Sequence, residues 1–93
     1  MVLMGVEITL RIFDSYSLKD KRSVIQSILR RIENRHHLSV AEVDELDMHN
    51  KAVIGLGIVG NNRQLCRQRL EAVLKEIEEN HEVEILDFDW LEV

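Results

Sequence analysis

The chain has 93 residues, 45% of them hydrophobic and 31% charged, which describes one globular domain and excludes both a disordered chain and a second core. A domain of this size buries roughly 60–65% of its unfolded surface, so any ligand site has to lie on the surface or at an interface. Its net charge of −5, from 12 basic and 17 acidic residues, argues against a general nucleic-acid binder and gives no reason to expect DNA as a partner.

Residues 2–12 alternate strictly, with Val2, Met4, Val6, Ile8, Leu10 and Ile12 on one face and Gly5, Glu7, Thr9 and Arg11 on the other, which predicts a strand with one buried side. Ser17, followed three positions later by Asp20, reads as a helix cap answered by an acid. The helix it opens runs to about residue 35, with Ile25, Ile28, Leu29 and Ile32 on one stripe. Residues 38–46 predict a second, weaker strand, in which the spacing of Val40 and Val43 calls for a bulge or an exposed edge. Asp47-Met48-His49-Asn50 forms the hairpin to a third strand, residues 51–60, with Ala52, Ile54, Leu56 and Ile58 inward and Val53, Gly55, Gly57 and Val59 outward. Asn61 or Asn62 caps a second helix with Cys66, Leu70, Val73 and Ile77 on its stripe, and residues 82–92 close the chain with Leu86, Phe88 and Trp90 alternating against Asp87 and Asp89.

Two βαβ units with right-handed crossovers interleave into one antiparallel sheet of order 4-1-3-2 with both helices on one face. The expected fold is thus an α+β ferredoxin-like βαββαβ sandwich, a single domain over residues 1–93. The apolar runs are broken by Glu7, Arg11 and Lys51 and are too short for a membrane span. The first residues lack the basic and cleavage regions of a secretory signal, and the lone Cys66 cannot form an internal disulfide. The expectation is a cytoplasmic protein with no membrane partner.

Charge is unevenly distributed. Residues 19–35 hold Lys19, Lys21, Arg22, Arg30, Arg31 and Arg35 against Asp20 and Glu33, whereas from residue 71 onward acids dominate. Cations at a helix start oppose the macrodipole at about a few tenths of a kcal/mol, so the Lys19–Arg22 cluster asks for a reason. With free backbone amides it forms a candidate anion or RNA site built from Ser17, Lys19, Lys21, Arg22 and His49; the alternative is a solvated loop whose lysines pair with Asp14, Asp20 or Asp47. The uncovered strip Val53, Gly55, Gly57 and Val59 is a candidate homodimer interface, against a merely weakly apolar exposed sheet.

Other motifs carry less. Gly55-Leu56-Gly57-Ile58-Val59-Gly60 matches G-x-G-x-x-G, but two of its glycines fall inside a predicted strand and the parallel sheet of a dinucleotide fold is missing, so no cofactor is expected. The histidines, including His49 and His81 beside Asp47, lack metal-ligand spacing, and no metal is expected. Cys66 belongs to a buried stripe, and Ser15 and Ser17 have no base, so no catalytic residue is assigned and the protein is not expected to be an enzyme.

At Ser17-Leu18-Lys19-Asp20-Lys21-Arg22-Ser23-Val24 and Ser39-Val40-Ala41-Glu42-Val43-Asp44 the chain resembles the YlxP-like family of uncharacterised bacterial proteins, over nearly its whole length. The resemblance implies a ferredoxin-like domain with no established activity, and, through neighbouring translation genes, an association with RNA or the ribosome. Two functions follow as expectations. One is a non-catalytic accessory factor binding RNA, a ribosomal particle or a translation factor through the start of the first helix. The other is a homodimeric regulatory module with a small ligand.

Overall fold

A computed structural model describes residues 1–93. The elements run β1 (Val2–Ile12), α1 (Leu18–His36), β2 (Ser39–Asp44), β3 (Lys51–Gly60), α2 (Arg63–Asn80) and β4 (Val83–Glu92). All pairings are antiparallel and the sheet order is β2-β3-β1-β4, the expected order read from the other edge. No helix is long and apolar enough to cross a membrane.

The alternation of β1 and β3 places Met4, Val6, Ile8, Leu10 and Ile12 beside Ala52, Ile54, Leu56 and Ile58 on one face. Helix periodicity brings Ile25, Ile28 and Ile32 of α1 and Cys66, Leu70, Val73 and Ile77 of α2 onto that face, in one continuous core. Each fully buried aliphatic side chain there contributes about 1.5–3 kcal/mol of transfer free energy. The other sheet face is uncovered.

Two bulges depart from simple alternation. In β2 the pairing steps from Glu42↔Ile54 to Asp44↔Val53, leaving Val43 as the extra residue, as its spacing predicts. In β4 it steps from Leu10↔Ile85 to Thr9↔Asp87, so Leu86 is extra. Leu86 therefore does not share a face with Phe88 and Trp90, as strict alternation requires; it is exposed, and Ile85 takes the inward position.

The glycines of the G-x-G-x-x-G string all lie within β3, so no phosphate-binding turn forms from them. Gly60 is instead required by packing: a Cβ there would lie 2.6 Å from the Cys66 sulfur, in the first turn of α2. Gly60→Ala is expected to cost about 1–3 kcal/mol by overpacking. In a Cys66→Ala background the same change should cost at least about 1 kcal/mol less, measured by urea unfolding as a double-mutant cycle. Equal costs in both backgrounds would mean the contact does not govern the position.

Candidate nucleic-acid interface

The start of α1 is closed by its own side chains. Ser17 has extended backbone and its hydroxyl accepts the Asp20 N–H at 3.1 Å, while the Asp20 carboxylate accepts the Tyr16 N–H at 3.1 Å. The helix end thus carries its own negative charge where a phosphate would bind. Ser17 is a cap, not a free anion ligand.

Lys21 corrects the expected site more sharply. Its side chain turns into the protein and is buried, with Nζ 2.9 Å from Glu42 Oε2 and 2.6 Å from the Glu45 carbonyl. Glu42 Oε2 is itself buried and makes no hydrogen bond, so the ammonium is what compensates its desolvation. Helical geometry accounts for the position: Lys21, Ile25, Ile28 and Ile32 follow one another at three- or four-residue steps on the buried stripe. The partner is Glu42 of β2, not Asp14, Asp20 or Asp47. His49 lies exposed in the hairpin, where its carbonyl accepts the hydroxyl of buried Ser15.

The same rotation sends Lys19, Arg22 and Arg30 to solvent. None forms an ion pair, and Ser23, Gln26, Ser27 and Asn34 are exposed along the same helix, with Glu33 the one acid on its outward side after the first turn. From Lys19 to Arg30 the stripe spans about 16 Å of helix axis. The basic surface is therefore a helix face and not a helix end.

Arg31 and Arg35, counted with those cations in the sequence, are used internally. Glu76 of α2 accepts from Arg31 Nε at 3.0 Å and from Arg35 Nη1 at 2.9 Å, and its second oxygen contacts His36 Nε2 at 2.5 Å. Arg69 adds a bond to the His36 carbonyl at 2.7 Å. The hydrogen bond from His36, then those from the two arginines, hold the Glu76 carboxyl well below its ordinary value, at about 2, against the opposing effect of burial. His81 lies against this seam with His36 and Glu76, not in a cluster with His49 and Asp47. Burial lowers its pKa, the Arg31 charge adds to the shift, and Glu76 opposes it.

On the uncovered face, register aligns Glu7 with Asp89 and Thr9 with Asp87. The expected interface strip is only partly available. Val53, flanked by Thr9 and Asp44, is 9% exposed, and Val43 reaches within 3.2 Å of where a Gly55 Cβ would stand. Gly57 and Val59 remain, next to exposed Leu3 and Leu91, so the apolar part of this face is displaced toward the Leu3–Val59 end. Its other part carries Glu7, Asp87 and Asp89, with Arg11 and Lys51 at the far end.

Residues 3–90 match the family described as a protein of unknown function, DUF503. The chain belongs to that family. It is also 33% identical, over 73 residues, to the uncharacterized protein YlxP of Bacillus subtilis (strain 168), a match covering 78% of this chain and 79% of the relative.

Acid should loosen the helix seam in two stages. The folded state disfavours the His81 cation, so stability falls as pH drops below about 6.5, where the unfolded chain takes up that proton. The depressed Glu76 carboxyl contributes stability above pH 4.5 that is lost as pH falls toward about 2. Urea unfolding across this range should show both declines, with Glu76→Gln flattening the lower one. An unchanged lower decline in that variant would refute the role given to Glu76.

Proposed function

We propose that the protein is a non-catalytic accessory factor that binds RNA along the outward face of α1, gripping the phosphate backbone without reading bases. The observation that carries this reading is the row of unpaired cations, Lys19, Arg22 and Arg30, interleaved with hydroxyl and amide donors. Side chains of these kinds supply most contacts to phosphate and sugar oxygens, which position a nucleic acid but carry no sequence information.

Electrostatics decides between the two sides of the molecule. The open sheet, where many small α+β domains stack RNA bases, here presents Glu7, Asp87 and Asp89 across its middle, with the cations Arg11 and Lys51 confined to one end, and Phe88 and Trp90 belong to the opposite face. Phosphate is repelled from that side and attracted to α1. Net acidity then restricts binding to one helix face and keeps non-specific adsorption low.

Three phosphate contacts give a slope of log affinity against log salt of about −2 to −3. Fluorescence anisotropy with a structured ribosomal RNA fragment, across a salt series, should give that slope for the wild type. A triple Ala variant at Lys19, Arg22 and Arg30 should lose nearly all of it, while Lys75→Ala, an unpaired cation on α2, leaves it unchanged. Equal binding by wild type and triple variant, or an equal loss from Lys75→Ala, would overturn the proposal.

A further inference from the structure

We propose that the free edge of β4, with the groove it forms beside α2, takes an extended partner segment in which apolar and basic residues alternate. This surface lies apart from the outward face of α1 and does not depend on the RNA reading.

The edge is open because β4 pairs with β1 alone. The Val93 N–H donates to the Leu3 carbonyl, so by the two-residue period Leu91, Asp89 and Asp87 bond toward β1, while Phe88, Trp90 and Glu92 direct N–H and C=O groups outward. Carboxylates already occupy part of this edge: Glu78 accepts the Ile85 N–H at 3.1 Å and Asp87 accepts that of Phe88 at 2.9 Å. The stretch from Trp90 to Glu92 has no strand beside it.

Next to that stretch lies an apolar floor. Leu74 of α2 and Ile85, Phe88 and Trp90 of β4 line an open groove. The two rings meet edge to face with centroids 6.4 Å apart, and the Arg67 guanidinium lies 3.7 Å above Trp90. Phe88 pairs with fully buried Ile8, yet it is 51% exposed. A strand added at an edge places alternate side chains in such a groove and the rest on the opposite face.

Charge selects the occupant. On that opposite face the added strand meets Asp87 and Asp89, exposed and without ion pairs, and then exposed Leu91, so the residues of its second set that face the two aspartates are cationic. A second copy is disfavoured by the same charges. Each β4 carries Glu84, Asp87, Asp89 and Glu92 and no cation, so self-pairing sets acid against acid.

The probe is a capped nine-residue peptide alternating Lys and Val, with a Glu–Val counterpart and a Lys–Val version carrying a central Pro. Trp90 is the single tryptophan, so its emission reports directly on the groove. The Lys–Val peptide should shift that emission saturably and protect the Trp90 and Glu92 amides from hydrogen exchange. The Glu–Val and Pro peptides should do neither. An Asp87→Asn/Asp89→Asn variant with unchanged circular dichroism should bind the Lys–Val peptide about fivefold more weakly. Equal binding of the Pro peptide would reduce the effect to bare charge and overturn the proposal. Absence of saturation up to about 1 mM, or sedimentation showing a dimer joined through β4 without peptide, would also overturn it.

Discussion

A lysine ammonium inside a domain this small needs a compensating charge, and the Lys21–Glu42 pair is the constraint around which one end of the molecule is built. Removing either partner leaves an uncompensated ion in the interior, a defect of about 3–5 kcal/mol. Glu42 reaches the helix side because it pairs with Ile54 in the inward phase of β2. The bulge at Val43 then reverses that phase and sends Asp44 outward beside Val53. Glu45 follows with φ of 58°, a left-handed conformation, and its carbonyl accepts the Lys21 ammonium. Bulge, left-handed residue and hairpin together enclose one charge.

That enclosure fixes how α1 is rotated. With Lys21 turned inward alongside Ile25, Ile28 and Ile32, Lys19 and Arg22 have to face solvent, and Arg30 joins them two to three turns later. At the other end of the helix, Arg31, Arg35 and His36 are drawn sideways onto Glu76. One helix therefore divides its cations three ways, between the interior, the helix seam and solvent. Asp87 and Asp89 lie on the uncovered face at the β4 edge. The result is a basic outward face on α1 and an acidic patch on the sheet, a polarity hidden by the net charge of −5.

The fold was legible because its signals are periodic and local. Strict alternation in β1 and β3 and the two apolar helix stripes leave few arrangements once right-handed crossovers are required. Ser17 acts as the cap its position indicates, and of the two candidates Asn61 and Asn62 it is Asn62 that caps α2. The candidate site was less legible because its key partnerships are long-range. Lys21 looks like its neighbours Lys19 and Arg22 until helix phase is applied, since its three- and four-residue spacing, not its residue type, sets it on the Ile25–Ile28–Ile32 stripe. Glu42 becomes its partner only through β2 register. Glu76 is one glutamate among many in α2, and nothing local distinguishes it before α1 packs alongside. Leu86 was misplaced because a bulge in β4, unlike that in β2, leaves no irregular valine spacing behind.

The central claim, that Lys21 is an internal structural ion while Lys19 belongs to the solvent-facing side of α1, is tested most directly by residue-resolved amine acetylation. Brief labelling of the native protein, read by peptide mass spectrometry, should modify Lys21 roughly ten-fold or more slowly than Lys19, with the difference vanishing in denaturing urea. Equal native rates at the two lysines would place Lys21 at the surface and contradict the account.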